Sequence, residues 1–503
     1  MSGEIRSVIV AGTGPLPWIA AAGLSRAFRH RQLDVTVVDS GASRDARVGR
    51  WTLPSQRGMH ALLGIPEAQL LQQTGATFKL ASEHRDWQGE GSRFLHAHGD
   101  IGTDLSGVPF YKHIQSEALA GRRERAETFA LAGTAAASGK FARPMGEGRV
   151  LTATFTYGFH LEDGAYTNYL RSHALRLGVR EAPGRLAGVV LDERGEIAAL
   201  QLDGGTTVSA HYFVDCSGPE ARLIGQIATA AREDWSPWLP CDRMWSALAP
   251  ADAEASAITR TTATATGWAW RAPLAKASMV GLVFSSGFQN EGAALTALGQ
   301  LAPSLTSEPL LTKFAAGRRR GFWECNCVAL GTSAVEVEPL AGADLHLAQI
   351  GLATFIELFP RDRSSAVEAH EYNRLMAEYA DSLRDFTLAH YRAGSPRDGN
   401  FWRAIREVPL PARLAERLDL YAASGRLNML DFECVEETDW AWLLIGCDLQ
   451  PRSIEQHVRL HLASLSAQEI AALRLHVQQL AASMPRHMDF VRRVAATPAR
   501  PGA

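Results

Sequence analysis

A glycine turn near the start of the chain has the composition of a phosphate-binding site. Gly12 and Gly14 follow the apolar run 5–11, and Asp39 ends a second apolar run, 35–38. Glycines let backbone N–H groups approach a pyrophosphate, the following helix favours its negative charge, and an acid accepts hydrogen bonds from a ribose. This spacing predicts either a dinucleotide-binding βαβ unit or an ordinary edge of an α/β sheet.

The third glycine of the dinucleotide pattern is replaced by Pro17. Proline fits the first turn of a helix, because an N–H group there has no partner within the helix. The turn can therefore persist, but the close packing of helix on strand that a third glycine permits is lost.

Three other residue groups could carry chemistry, and each also has an ordinary structural explanation. They are Trp268 with Trp270, Cys325 with Cys327, and His390. Residues two apart on a strand share one face, so the tryptophans could wall a site or fill a core. By the same rule the cysteines indicate buried thiols rather than a metal site. His390 lies on the apolar face of a helix predicted over 366–391, which favours a core histidine over a ligand.

The elements that must position these residues are those of an α/β protein. The run 5–11 predicts a buried parallel strand, and 18–28 predicts a helix. Residues 185–215 predict short strands that return to the first sheet, and the last third of the chain is predicted to be largely helical. The Ala- and Gly-rich stretch 130–148 is predicted to be a flexible excursion.

Composition and charge exclude several classes of protein. Of the 503 residues, 46% are hydrophobic and 21% are charged, with 51 basic and 54 acidic residues. These proportions exclude disordered, collagen-like and coiled-coil chains, and the charge balance does not indicate nucleic-acid or membrane binding. The sequence has no apolar run of about 18 residues and six cysteines without a Cys-x-x-Cys pair. Its first residues lack the pattern of a signal peptide, and we expect none. We expect a reduced, cytoplasmic protein with no metal.

Four segments, in order along the chain, carry a common pattern. The first combines residues 62–65 and 75–80 with Trp87, and the second is the Gly-Trp-Ala-Trp-Arg-Ala-Pro-Leu stretch at 267–274. The third combines residues 326–331 with 337–340, and the fourth combines His390-Tyr391 with Phe401-Trp402-Arg403. Together they resemble the flavin-dependent tryptophan halogenase family, over nearly the whole chain from about residue 5 to about residue 490.

The resemblance implies a fold and a chemistry. The fold is an α/β, flavoprotein monooxygenase-like fold with an N-terminal βαβ dinucleotide-binding unit, an antiparallel sheet on the substrate side and a helical C-terminal region. An FAD-binding core would span 1–360, the helical region 361–495, and a disordered tail 496–503. In the family, reduced FAD from a separate flavin reductase, O2 and chloride or bromide yield a hypohalous species, which a lysine presents to an electron-rich aromatic ring. The oligomeric state stays open between a monomer and a homodimer.

The resemblance also assigns residues to this chemistry. Lys79 occupies the position of the halogen-delivering lysine, although a lone lysine after Phe78 would otherwise indicate a surface charge. A primary amine can bind hypohalous acid or form a haloamine, and burial lowers its pKa. The other implied positions are FAD contacts at Gly12, Gly14, Asp39, Gly49, Trp51, Gly331, Pro339 and Leu340, a wall at Trp268, Trp270 and Pro273, and a halide site at Gly342, Ala343 and Asp344.

Besides Pro17, two departures from the family fall at the flavin and the halide. The family reads Gly-Glu-Ala-Thr where this chain has Gly49-Arg50-Trp51-Thr52, and Glu-Ser-Thr-Gly where it has Ala341-Gly342-Ala343-Asp344. Trp51 could fill the isoalloxazine space or stack on the ring. Ala341 cannot act as the general base, and Asp344 would repel a halide unless its side chain turns away. Glu338 is the nearest acid that could substitute.

Two functions follow, and a third is disfavoured. The protein is either a halogenase for a strongly activated ring of indole or phenol type, or a non-catalytic relative, such as a partner of an active paralogue, that has lost flavin and halide binding. Lys79, Trp268 and Trp270 favour the first function, and the clustered departures favour the second. An aromatic hydroxylase is disfavoured because Thr332, not an aspartate, follows Gly331. The sequence does not identify the substrate.

Overall fold

The computed structural model describes residues 4–104, 107–146, 150–227, 231–252, 254–362, 366–394, 397–462 and 467–497. The strands of these residues are β1 (Ser7–Gly12), β2 (Asp34–Asp39), β3 (Gly49–Trp51), β4 (Thr77–Lys79), β5 (Ala81–Arg85), β6 (Arg93–Ala97), β7 (Gly158–Glu162), β8 (Arg180–Leu191), β9 (Ile197–Leu202), β10 (Thr207–Val208), β11 (Tyr212–Cys216), β12 (Arg232–Asp234), β13 (Arg243–Pro250), β14 (Ile258–Ala263), β15 (Gly267–Pro273), β16 (Ala277–Phe284), β17 (Leu310–Lys313), β18 (Gly317–Arg319), β19 (Trp323–Glu324), β20 (Cys327–Ala329) and β21 (Val335–Glu336).

The α-helices of the same residues are α1 (Pro15–Ala27), α2 (Ser55–Leu63), α3 (Glu67–Thr74), α4 (Tyr111–Leu119), α5 (Leu131–Ala137), α6 (Asp163–Arg176), α7 (Ile224–Ile227), α8 (Glu291–Leu301), α9 (Asp344–Glu357), α10 (Ala366–Arg392), α11 (Asn400–Glu407), α12 (Ala412–Ser424), α13 (Glu437–Gly446), α14 (Gln456–Leu462), α15 (Ala467–Ser483) and α16 (His487–Ala495). None of these described helices is both long and apolar enough to cross a membrane.

The predicted βαβ unit is formed by β1, α1 and β2. It lies in an eight-stranded sheet with the order β10-β9-β8-β2-β1-β11-β20-β19. The five strands from β8 to β20 in this order run parallel. β1 and β11 are buried on both faces, as central strands of a parallel sheet covered by helices must be. The strands predicted over 185–215 do return to this sheet.

Both predicted glycines of the first turn are required by the backbone. A Cβ at Gly12 would overlap the neighbouring strand at Cys216. Gly14 has a φ of 81°, a conformation that side chains with a Cβ rarely adopt, and α1 begins directly after it.

A second, seven-stranded sheet has the order β17-β13-β16-β15-β14-β5-β6. Its pairs are antiparallel except for β14 with β5. This confirms the predicted antiparallel sheet and adds one parallel pair. Trp268 and Trp270 lie two apart on β15 and are both buried.

A small three-stranded sheet joins the two halves of the candidate site. β3 carries Arg50 and Trp51, β4 ends at Lys79, and both strands pair with β7. His160 on β7 lies opposite Trp51 on one side and opposite Thr77 on the other. One strand, β7, therefore separates the segment that departs from the family pattern from the strand of Lys79.

The C-terminal part is helical where it is described. α10 covers the helix predicted over 366–391, and His390 is buried on it. The predicted flexible excursion at 130–148 is wrong over α5, which is largely buried and packs against α15 and β6. Its small alanine side chains let the helices approach closely. Residues 147–149, and residues 498–503 of the predicted tail, lie outside the described residues.

Cys325 and Cys327 do not share a strand face, contrary to the prediction. Cys325 has a φ of 49° in the turn between β19 and β20 and is exposed, whereas Cys327 is buried on β20. The turn breaks the two-residue alternation that the prediction assumed. All six cysteines are free thiols.

Candidate functional site

A groove of about 420 Å³ opens beside the glycine turn. Residues 13–16, the segment 329–332 and the first residues of α9 are among those that line it. No atom lies within 4 Å of the position that a Cβ on Gly14 would occupy. At Gly331, where φ is 68°, a Cβ would overlap Leu16 across the groove. The groove therefore has room for a nucleotide where the sequence predicts one.

Pro17 does not obstruct this groove. Pro15 begins α1, and Pro17 lies in the same first turn with its side chain buried. Residues 13–16 line the groove, whereas Pro17 is not among the lining residues. The two prolines remove two N–H donors from the helix N-terminus, because proline has no backbone N–H.

Asp39 stands at the rim of the groove with its carboxylate engaged. Its Oδ1 accepts hydrogen bonds from Thr13 Oγ1 at 3.2 Å and from the Gly41 N–H at 2.8 Å. Its Oδ2 lies 3.3 Å from Arg185 Nε. Asp39 is not itself among the residues that line the groove, and it contacts that lining through Thr13.

The charges of β3 and α9 are paired across the groove. Arg50 Nε donates to Asp163 Oδ1 at 2.7 Å, and Arg50 Nη1 donates to Asp344 Oδ2 at 2.8 Å. Arg47 Nη1 lies 3.2 Å from the same Asp344 oxygen. Burial would raise the pKa of Asp344, but Arg47 and Arg50 lower it. Burial would lower the pKa of Arg50, but the negative charges of Asp163 and Asp344 have the larger combined effect, so this pKa is raised. The repulsion expected from Asp344 is offset by two guanidinium groups.

Trp51 fills the space between β3 and the tryptophan pair. Its ring centroid lies 5.1 Å from that of Trp270 and 6.3 Å from that of Trp268. A Cβ at Gly342, where φ is 65°, would overlap the Trp51 ring. The free volume left among Trp51, Trp270, Gly342 and their neighbours Gly49 and Pro339 is about 0 Å³.

Glu338 is hydrogen-bonded to Trp268, one of the two tryptophans of the wall. Trp268 Nε1 and the Tyr391 hydroxyl each donate a hydrogen bond of 2.7 Å to Glu338 Oε2. Burial raises the pKa of Glu338 to about 7, although these two hydrogen bonds lower it. Glu338 is not among the residues that line the cavity at Lys79, and its Oε2 already accepts hydrogen bonds from Trp268 and Tyr391. Pro273 connects the wall to β4, because Thr77 Oγ1 donates to the Pro273 carbonyl at 2.7 Å.

Lys79 is buried, with 1% of its side chain exposed. Burial lowers its pKa to about 7, while Asp439 raises it. Its Nζ lies 2.7 Å from His98 Nε2. The interpretation of Lys79 as a surface charge is therefore wrong.

The cavity at Lys79 has a volume of only about 10 Å³. Ala341 and Leu340 line it, so Ala341, where the resemblance implies a glutamate, lies beside Lys79. The lining also includes Ser82, His84, His96, His98, Phe386, His390, Val435 and Asp439. A cavity of this size holds at most one water molecule, so an aromatic ring requires some of these side chains to move.

Sequence reasoning missed several residues of this site. His96 and His98 alternate with Ala97, a pattern that could have indicated two side chains directed to one face of an extended segment. Asp163 and Asp439 carry no local signal, because they reach the site from α6 and α13, far along the chain.

Several known proteins are similar to this chain over most of its length. The family model described as tryptophan halogenase matches residues 7–461. A tryptophan 7-halogenase of Kutzneria sp. (strain 744), KtzQ, is 28% identical over 442 residues, which are 84% of this chain and 82% of that protein. The structure of BrvH, a flavin-dependent halogenase from Brevundimonas sp. BAL3, is 32% identical, has a TM-score of 0.90 and covers 97% of this chain and 99% of its own. The structure of Xcc4156, a flavin-dependent halogenase from Xanthomonas campestris, is 33% identical and has a TM-score of 0.91. The match covers 99% of this chain and 100% of the Xcc4156 chain.

Proposed function

Because this chain belongs to the tryptophan halogenase family of flavin-dependent halogenases, we propose that it halogenates an electron-rich aromatic compound of indole or phenol type. Reduced FAD supplied by a separate flavin reductase, O2 and chloride or bromide are the co-reactants. The observation that carries this proposal is the buried amine of Lys79, whose pKa is lowered to about 7. A large share of this amine is unprotonated at neutral pH and can accept electrophilic halogen.

The residues of the groove fit FAD. The open space at Gly14 suits the approach of a pyrophosphate. Arg47 lines the groove and its buried Nε has no hydrogen-bond partner among the described residues, so it can donate to an anionic ligand. Gly12, Gly14 and Asp39 would hold the ADP half, and Gly49, Gly331, Pro339 and Leu340 would lie nearer the flavin ring. When bound and reduced, FAD supplies the electrons that convert O2 and halide to hypohalous acid.

The residues between the groove and Lys79 separate the two reaction sites. Trp268, Trp270 and Pro273 wall them apart, and Trp51 adds a third indole to that wall. The halide would bind near the backbone of 342–344, where Arg47 and Arg50 neutralise Asp344. Hypohalous acid must then pass this wall to reach Lys79, which requires Trp51 or a neighbour to move.

The absence of a carboxylate at Ala341 restricts the substrate. A ring that is strongly activated, as in a phenol or a substituted indole, loses its proton readily after halogen attack and has less need of a strong base. We therefore propose phenols and electron-rich indoles as the substrates to test first.

The proposal is tested with purified protein, FAD, a flavin reductase, NADH, bromide and a panel of indoles and phenols. We expect brominated product by mass spectrometry, and its loss by at least about 1,000-fold in Lys79→Ala. Lys276→Ala is the matched control, since Lys276 is exposed and should leave turnover unchanged. Calorimetry with reduced FAD should show binding. Failure to bind FAD at tens of micromolar, or product that persists in Lys79→Ala, contradicts the proposal.

A further inference from the structure

The Lys79 amine has a histidine partner that the backbone holds in place. Lys79 Nζ lies 2.7 Å from His98 Nε2, and 4% of His98 is exposed. The His98 N–H donates to the Leu80 carbonyl at 2.7 Å, and the His98 carbonyl accepts from the Thr156 N–H at 3.0 Å. Because Leu80 directly follows Lys79, the backbone hydrogen bond between His98 and Leu80 places the His98 side chain close to the Lys79 side chain.

We propose that His98 is the catalytic base of this site, whose Nε2 accepts a hydrogen bond from the Lys79 amine and takes the proton that the amine loses when it binds halogen. This inference rests on the proposed halogenase function. It assigns the proton of the Lys79 amine to His98, whereas the ring proton that a carboxylate at position 341 would accept passes to that amine.

The step balances with the co-reactants already named. The Lys79 nitrogen lone pair attacks the halogen of hypohalous acid, so that an N–halogen bond forms and the O–halogen bond breaks with release of hydroxide. The nitrogen, now positively charged, passes one proton to His98 Nε2. The imidazolium then protonates the hydroxide to water. The ring later takes the halogen from nitrogen, and its own proton returns to the amine.

The electrostatics of the pair suit this role. Burial lowers the pKa of His98 well below its ordinary value, and the charge of the Lys79 ammonium lowers it further, so the imidazole favours its neutral form. With its proton on Nδ1, the ring has a lone pair on Nε2 that accepts the Lys79 hydrogen. A weak base suffices here, because a halogen withdraws electrons from nitrogen and makes its remaining N–H groups acidic. A neutral base is also compatible with a neutral amine beside it, whereas an unpaired charge would be costly at this burial.

Other ionisable groups around Lys79 have contacts elsewhere. His96 Nε2 lies 2.9 Å from Asp439 Oδ1, and His84 Nδ1 lies 2.9 Å from Thr261 Oγ1. His160 contacts two threonines, and His390 Nδ1 lies 2.9 Å from the Phe386 carbonyl. Among the hydrogen bonds of the described residues, the contact to the Lys79 amine is made by His98.

Turnover is measured in His98→Phe, which removes the base, and in His98→Gln, whose amide oxygen accepts a hydrogen bond but takes no proton. We expect kcat to fall about 100-fold in both variants with KM nearly unchanged, since general bases contribute about 100- to 10,000-fold. His160→Gln is the matched control, because His160 is equally buried and should keep kcat within about threefold. Melting temperatures must match across the set. Turnover of either His98 variant within threefold of wild type overturns the proposal.

A flavin-independent measurement tests the contact itself. The chain has five lysines, so [6-13C]lysine labelling gives few signals, and Lys79→Met identifies the one of interest. A hydrogen bond to a neutral acceptor stabilises the ammonium form. The pKa of Lys79 should therefore fall in His98→Phe and recover in His98→Gln, while the Lys276 signal stays unchanged. A rise or no change in His98→Phe overturns the proposal. If the wild type shows no turnover, the proposed function and the base role both fail, and this titration still shows whether the hydrogen bond exists.

Discussion

The groove beside the glycine turn and the cavity at Lys79 stabilise buried ionisable groups in opposite ways. In the groove, which has a volume of about 420 Å³, Arg50 is paired with Asp163 and Asp344. In the cavity at Lys79, of about 10 Å³, burial lowers the pKa of both Lys79 and His98. A buried charge is tolerated either by pairing or by neutralisation. Pairing of charges would suit the binding of an anionic ligand in the groove, and a neutral amine would suit the nucleophilic role proposed for Lys79.

Four of the departures expected from the resemblance contact one another in pairs, whereas Ala341 lines the cavity at Lys79. Arg50, where the resemblance implies an acid, binds Asp344, where it implies a glycine. Trp51, where it implies an alanine, lies against Gly342, where it implies a serine. Each expected change in β3 is therefore matched by one in residues 342–344, where α9 begins. Matched changes keep charge and volume balanced, which a set of unrelated changes would not do.

The largest effect should come from breaking the paired charges. Arg50→Ala leaves Asp163 without its partner and Asp344 with Arg47 alone. We expect the free energy of unfolding to fall by about 4 kcal/mol, because removing one member of a buried ion pair leaves an uncompensated charge. Urea unfolding at neutral pH measures this change.

The control for this prediction is an exposed pair at the rim of the same groove. Arg185→Ala removes the partner of Asp39, and both side chains are about half or more exposed. Exposed ion pairs contribute between about 0 and 1 kcal/mol. If Arg50→Ala costs no more than Arg185→Ala, the groove charges are not paired in the way described.

Local patterns in the sequence were enough to predict the elements that do not depend on distant partners. The βαβ unit, the paired tryptophans of β15 and α10 each follow from periodicity or turn chemistry over a few residues. The same local reasoning failed at Cys325, because one residue with a positive φ ends the strand alternation. It failed at α5, because alanine-rich composition resembles a flexible segment until a partner helix is known.

The candidate site was predicted less completely, because its properties arise from contacts between distant segments. The resemblance indicated Lys79, but the burial of its side chain depends on the small three-stranded sheet of β3, β7 and β4 and on α13. The sequence alone could not predict that Arg47 and Arg50 neutralise Asp344, because Arg50 and Asp344 are 294 positions apart in the chain. The position of Glu338 behind Trp268 could not be inferred from its distance along the chain to Ala341.

The next largest effect concerns Glu338, whose carboxyl is buried behind Trp268 and favours its neutral form. Its pKa is about 7 in the folded protein, against an ordinary value of 4.5. Between these pH values the folded state binds the proton more tightly than the unfolded state does. Stability is therefore fully present below about pH 4.5 and falls by about 3 kcal/mol as the pH rises to 7.

Denaturation of wild type and Glu338→Gln from pH 4.5 to 8 measures this contribution. The amide keeps an oxygen that can accept from Trp268 but does not titrate, so the difference between the two curves isolates Glu338 from other buried acids such as Asp385. We expect the variant to lose less stability across this range. Parallel curves would mean that Glu338 is ionised in the folded protein and that the tryptophan wall is held by a charge.

The smallest effect tests whether Trp51 on β3 and Gly342, which lies two residues before α9, are coupled in volume as Arg50 and Asp344 are in charge. In the wild type, Gly342→Ser places a Cβ against the Trp51 ring at a positive φ, and we expect it to cost about 2 kcal/mol. In a Trp51→Ala background the overlap with the ring disappears and the strain of the positive φ remains, so the same substitution should cost about 1 kcal/mol. The difference, measured by a double-mutant cycle in urea, is the coupling energy. A coupling energy near zero would show that the cost of replacing Gly342 does not depend on the residue at position 51. The two departures would then be independent of each other in volume.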